Sequence, residues 1–206
     1  MAAVLPRDHD ALRAHLRAWV AVAIAPHSRR WDAEDRLPSE AVRAMAEAGL
    51  FGIVAPVGLG GAERDYVSLG IVVEELARAD MSCAIIWWLQ ATIVALIPGW
   101  SDDTVRDVCA GRSLVCLATS EQAAGSDVAG IQTTARRDGD DWVLSGEKIH
   151  VSLVPGADLM AVTARTGEGD MPPIAMIRVP MVSPGVSCAP MRQMGARAPT
   201  SWGGWC

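Results

Sequence analysis

The apolar residues of this chain change their spacing once, near residue 113, and that change constrains the fold more than any other feature. Up to about Arg112 they recur every three or four positions, the period of a helix with one buried face. From Leu114 they alternate with polar residues, as in a strand. The layout predicts an α+β chain with its elements segregated. Residues 1–113 form an all-α N-terminal helical domain, and residues 114–206 a small antiparallel, β-barrel-like middle domain.

In the helical half, Leu12, Leu16, Trp19, Val20 and Ala23 share a face before Pro26 stops the turn. Val42, Met45 and Ala46 repeat the spacing until Gly49 closes a second helix. Asp65 caps a third, in which Leu69, Val72, Val73 and Leu76 face inward and Glu74 pairs with Arg78 four residues on. The run Met81 to Ile97 contains Ser82, Gln90 and Thr92 and stops at Pro98-Gly99, short of the ~18 to 20 residues that a membrane span needs. It reads as a helix buried in a core, and Trp87-Trp88 on it as core residues. Ser101-Asp102-Asp103 opens one more helix, which Gly111 ends.

Strands are expected over Leu114 to Ser120, Ile131 to Arg137, Asp141 to Ser145, Lys148 to Leu153, Leu159 to Arg165 and Ile174 to Val179, with a hairpin turn at Asp138-Gly139.

A net charge of −6 with no run of one sign argues against nucleic acid as the main partner. Lys148 is the only lysine, a bias that reads as genomic composition. Cys83, Cys109, Cys116, Cys188 and Cys206 are scattered and odd in number, without a C-x-x-C pair or metal-ligand spacing. They read as reduced thiols. The acids and Pro6 of the N-terminus interrupt any signal-peptide core, so the expected location is cytoplasmic.

Chemistry concentrates between Leu117 and Ser152. Leu117, Ala118, Thr119 and Ser120 end an apolar strand with small hydrogen-bonding side chains. Gly125 lets backbone approach a ligand, and Ser126 adds a hydroxyl and an N–H. His150, Val151 and Ser152 follow, with His150 and Ser152 two apart and so on one face of a regular strand. The two ends are suited to a flat, phosphate-bearing cofactor.

The order helical domain, T-S-E-x-A-A-G-S-D, Asp-Gly hairpin, S-G-E-K-I-H-V-S and A-D-L-M-A-V-T-A-R-T resembles the acyl-CoA dehydrogenase family. Pro56, Gly60 and Gly61, followed by a helix that starts after an aromatic, resemble another part of its pattern. The resemblance implies FAD as cofactor, an acyl-CoA thioester as substrate and α,β-dehydrogenation as reaction. It implies that Leu117 to Ser120 run along the flavin edge and that Gly125-Ser126 meet the pyrophosphate, with Ser126 also near the substrate. His150 stands where the family has a ring-packing Trp, and Ser152 where it has a Thr near the flavin N5. Gln122 and Leu153 replace the usual Pro and Asn. Glu121 is implied to fix a loop rather than to act as a base.

Family members run to nearly twice this length and end in a helical bundle that supplies the catalytic carboxylate and most of the oligomer contacts. The ending Ser201 to Cys206 does not read as the family's next strand, so a truncated copy is expected, with no catalytic residue to nominate. The implied partners are a second copy or a related subunit, and an electron-acceptor protein. Two alternatives stay open: a flavin monooxygenase of the same fold, and a non-catalytic subunit associated with a full-length partner.

Overall fold

The structure, a computed structural model, describes residues 5–34, 38–96, 99–169, 172–190 and 201–205. It divides into two compact units, one ending at Leu114 and the other beginning at Val115.

The first unit is helical. Asp8 accepts from the Ala11 N–H and caps α1 (His9–Ala23), which buries Leu12, Leu16 and Val20. A short α2 (Ser28–Glu34), absent from the sequence expectation, has one buried side chain, Trp31. Its indole N–H donates to Glu40 at 2.8 Å, and this single anchor is too little periodicity to read from sequence. α3 (Ser39–Glu47) buries Ala41, Val42 and Met45.

Asp65 caps α4 (Tyr66–Ala79) through the Ser68 N–H. This helix also buries Ile71 and, unexpectedly, Glu75, only 2% exposed. The predicted Glu74–Arg78 pair does not form. Glu74 takes Arg13 of α1 at 2.6 Å, while Arg13 and Arg17 both reach Glu75. Tertiary contact offered these carboxylates better-placed donors than the local turn did.

α5 (Met81–Leu96) splits the tryptophan pair: Trp87 is fully buried and donates to the Leu50 carbonyl at 2.9 Å, whereas Trp88 is 42% exposed. Adjacent helical residues point about 100° apart, so both could not enter one core. No helix among the described residues is long and apolar enough to cross a membrane. α6 (Asp102–Cys109) is capped by Ser101. Gly111 ends it at φ +66°, where an added Cβ would sit 2.4 Å from the Ala46 Cβ, so glycine is required twice over.

Among its described residues the second unit holds eight strands: β1 (Val115–Ala118), β2 (Thr134–Asp138), β3 (Asp141–Ser145), β4 (Glu147–Ser152), β5 (Leu159–Arg165), β6 (Ile174–Pro180), β7 (Ser187–Pro190) and β8 (Ser201–Trp205). The class is as expected, a helical part followed by a β part, but the larger sheet is mixed. β5 runs parallel to β1 (Val115 opposite Leu159) and to the start of β2, and antiparallel to β6. Direction is not encoded in a period of two; β1 and β5 come together through the long excursion that carries β2 to β4.

The hairpin turn falls at Gly139-Asp140, one residue later than expected, with Asp138 opposite Asp141 and Gly139 at φ +61°. The smaller sheet has the order β4-β8-β7. Ser201–Trp205 is therefore a strand after all, held by backbone pairing on both sides.

Candidate functional site

The candidate residues lie on β1, on the connection from β1 to β2, and on β4. β1 is shorter than the apolar run because the Thr119 and Ser120 carbonyls leave the ladder: one accepts from Lys148 Nζ (3.3 Å), the other from the Ile149 N–H (2.8 Å). The two ends of the stretch are thereby joined. Within the larger sheet β1 is a terminal strand, so one of its backbone edges is not paired into that sheet.

The connection closes on itself where the Glu121 N–H donates to the Ala124 carbonyl at 2.8 Å. Gly125 and Ser126 follow, both exposed. Gly125 has no positive φ, and an added Cβ would meet nothing within 4 Å. Neither strain nor packing demands glycine there.

Beneath this loop lies a buried ion pair that the sequence reading missed. Lys148, 1% exposed, donates to Glu121 at 2.7 Å and to the Thr163 hydroxyl at 3.1 Å. Glu121, 8% exposed, also accepts from the Gln132 and Thr133 N–H groups and from the Thr133 hydroxyl at 2.6 Å. Those bonds explain why β2 starts at Thr134 and not at Ile131: a side chain has taken the donors that a ladder would use. Burial raises the Glu121 pKa, but the bonds from Lys148, Thr133 and the two backbone groups outweigh it and hold the carboxylate at about 2. The available signal was a lone lysine inside an alternating strand of a chain otherwise basic through arginine.

β4 is bulged. Lys148 pairs with Gly204 and Val151 with Trp202, so three steps on β4 match two on β8. His150 sits in the bulge at φ +56°. A regular strand would put His150 and Ser152 on the face of Lys148. The extra residue instead turns Val151 inward, 1% exposed, leaving His150 exposed and Ser152 half-buried. Leu117, Thr119 and Ser120 are half-buried. The side chains of Ala118 and Val151 are in the core, so only their backbone can face a ligand.

No cluster of metal-ligating side chains exists among the described residues. Cys83, Cys109 and Cys116 are buried and Cys188 is exposed, all unbridged. Burial pushes the Cys83 and Cys109 thiols upward, away from thiolate reactivity.

The protein thus consists of a helical unit and a β unit, the second presenting an edge strand, an exposed Gly-Ser turn and a hydroxyl-bearing bulged strand. Family models place it: the acyl-CoA dehydrogenase N-terminal domain matches residues 6–109 and the acyl-CoA dehydrogenase middle domain matches residues 116–203. The chain belongs to the acyl-CoA dehydrogenase family.

It is 37% identical over 153 residues to the probable acyl-CoA dehydrogenase fadE25 of Mycobacterium leprae, covering 72% of this chain and 39% of that one. It is 32% identical over 202 residues to the mitochondrial short-chain specific acyl-CoA dehydrogenase of Bos taurus, covering 94% and 49%. Among solved structures it resembles a glutaryl-CoA dehydrogenase from Mycobacterium smegmatis in complex with FADH2, with TM-score 0.85 and 27% identity over 97% of this chain and 52% of the other. The chain thus spans 39% to 52% of the length of these relatives.

Proposed function

We propose that this chain forms the cofactor wall of an FAD-dependent acyl-CoA dehydrogenase, and that the 206 residues alone bind the cofactor without turning over substrate. The observation that carries the reading is the joint at Thr119, Ser120, Lys148 and Ile149, which brings an edge strand, an open Gly-Ser turn and a bulged strand into one unit.

The residues fit the group. The backbone of Leu117, Ala118, Thr119 and Ser120 offers donors and acceptors along a strand end, matched to the edge of a heterocycle. Gly125 leaves space where a side chain would stand against a pyrophosphate, and Ser126 adds a hydroxyl at the same place, also within reach of an acyl-CoA. His150, exposed on the bulge, offers an imidazole face for the ring, and the backbone of Val151 and the Ser152 hydroxyl complete the wall. When bound, FAD supplies the hydride acceptor for oxidation of the acyl chain.

This chain's own part is to orient the ring and keep the phosphate end fixed. Removal of the α proton needs a carboxylate able to accept it, and Glu121 cannot serve: a carboxylate held at about 2 and engaged by four donor groups is a poor base. We assign that role to no described residue. Reoxidation would fall to a separate electron-acceptor protein.

The test is titration of the purified chain with FAD, followed by visible absorbance and flavin fluorescence, and then anaerobic addition of a short-chain acyl-CoA. Saturable binding without bleaching is expected. Absence of FAD binding sinks the cofactor reading, and bleaching by acyl-CoA sinks the claim that turnover needs another group.

A further inference from the structure

Both stems of the connection from β1 to β2 are pinned by long cationic side chains. Lys148 holds the first at Thr119 and Glu121. Arg165, the last residue of β5, holds the second: its backbone N–H donates to the Thr133 carbonyl at 2.9 Å and its Nη2 to the Ala129 carbonyl at 3.0 Å. Ala129 lies in the 3-10 turn Val128–Gly130, three residues after Ser126. The connection is compact there, since a Cβ built on Gly130 would lie 3.4 Å from the Asp127 carboxylate and 3.5 Å from the Ala124 Cβ. Three residues of chain span at most about 11 Å, and screening acts over about 8 to 10 Å at physiological salt. The Ala129 backbone that the guanidinium holds therefore lies within about 11 Å of Ser126, of the order of that screening length.

Arg165 Nε is buried and has no hydrogen-bond partner among the described residues, an arrangement that costs stability. Local costs of this kind gather where a site needs a group in a particular position.

We propose that Arg165 is a positioning residue for the phosphate-facing turn, anchoring Ala129 from β5 and setting a fixed positive charge behind Gly125 and Ser126, so that the wall selects phosphate-bearing flavins over the bare ring system. The proposal rests on the flavin reading above and adds a specificity to it. A planar guanidinium on a rigid strand end keeps both its hydrogen bond and its charge in place, which an ammonium on a flexible stem does less well.

The experiment titrates the unaltered chain, Arg165→Met and Arg165→Lys with FAD and with riboflavin, which has the same ring system and no phosphate. Arg165→Met is expected to weaken FAD about tenfold, the size of one charge-assisted contact, and to change riboflavin by less than about twofold. The FAD difference should shrink in 0.5 M salt, roughly as screening dictates. Equal losses for both ligands would make Arg165 merely structural and overturn the proposal, as would unchanged FAD affinity. If circular dichroism shows Arg165→Met unfolded, Arg165→Lys carries the test: FAD about threefold weaker with riboflavin unchanged supports it, and unchanged FAD affinity overturns it. Failure of the unaltered chain to bind FAD is the separate outcome that removes the flavin reading itself.

Discussion

Each unit buries an ion-paired carboxylate, and the two are answered in different ways. Glu75, in the helical unit, is 2% exposed and is met by Arg13 and Arg17 from α1, with Arg78 at 3.9 Å; the arginine side chains are 33%, 57% and 63% exposed. Glu121, in the β unit, is met by an ammonium as buried as itself and by two backbone N–H groups. The Glu75 charge is neutralised from a wet rim, so its partners keep most of their hydration and share the work. The Glu121 charge depends on one cation that has given up water altogether. The first arrangement staples α1 to α4 and tolerates a lost partner. The second fixes backbone at four places, Thr119, Gln132, Thr133 and, through the Lys148 main chain, β4, and does not.

Removing Lys148 should break this contrast most sharply. Lys148→Met leaves a buried carboxylate unpaired and is expected to cost about 3 to 5 kcal/mol in urea unfolding, with FAD binding lost alongside. Adding Glu121→Gln to it should recover a large part of the stability, because the uncompensated charge is gone. If the double variant is no more stable than the single, the charge was not the cause.

Acid should expose the same pair next. The Glu121 pKa is depressed to about 2 in the folded chain from its ordinary 4.5, so its contribution is complete above the unfolded value and is lost as pH falls through the folded one. Between about pH 4.5 and 2 roughly 3 kcal/mol should disappear, and Glu121→Gln should flatten that part of the stability profile. A profile of equal slope in the variant would assign the acid loss elsewhere. Glu75 is also depressed, by Arg17 first, against desolvation, and then by Arg13; a Glu75→Gln background separates the two contributions.

Glu75→Gln itself should cost less, about 1 to 2 kcal/mol, since half-exposed ion pairs are each worth under about 1 kcal/mol. Its effect should fade in 1 M salt, and that of Glu121→Gln should not, as buried pairs are little screened. Equal salt sensitivity would remove the distinction between rim and interior.

The smallest effect on stability, and the most telling for the site, belongs to Gly125→Ala. With ordinary φ and nothing within 4 Å of the new methyl, folding should change by less than about 0.5 kcal/mol. FAD affinity should nevertheless fall measurably, since the methyl occupies the space assigned to phosphate. An Ala variant that binds FAD as well as the unaltered chain would move the phosphate away from this turn.

Local signals explain what could be read from residues alone. The change of period near residue 113 separated helices from strands. Asp65 and Ser101 cap the helices they were expected to cap, the apolar run from Met81 forms one helix with a buried face, and an Asp-Gly pair marks the hairpin within one residue. Gly125, Ser126, His150 and Ser152 were legible as candidate site residues, and the family motif order around them was legible too. Each of these signals is contained in a few consecutive residues, where backbone sterics, capping donors and helical or strand period act.

What tertiary structure decided depends on residues far apart in the chain. Lys148 and Glu121 are 27 positions apart, Arg13 and Glu75 are 62, and Arg165 and Ala129 are 36. No periodicity announces such pairs, because a buried charge is tolerated only where the fold delivers its partner and excludes water from both. The parallel pairing of β1 with β5, the separation of Trp87 from Trp88 and the bulge that turns His150 and Ser152 away from the Lys148 face have the same origin. Sequence by itself determined which segments coil or extend and which family the motif order resembles. Only packing determined which way the candidate site residues face, since the direction of a side chain on a bulged strand is set by the register of its neighbours and not by its own position in the chain.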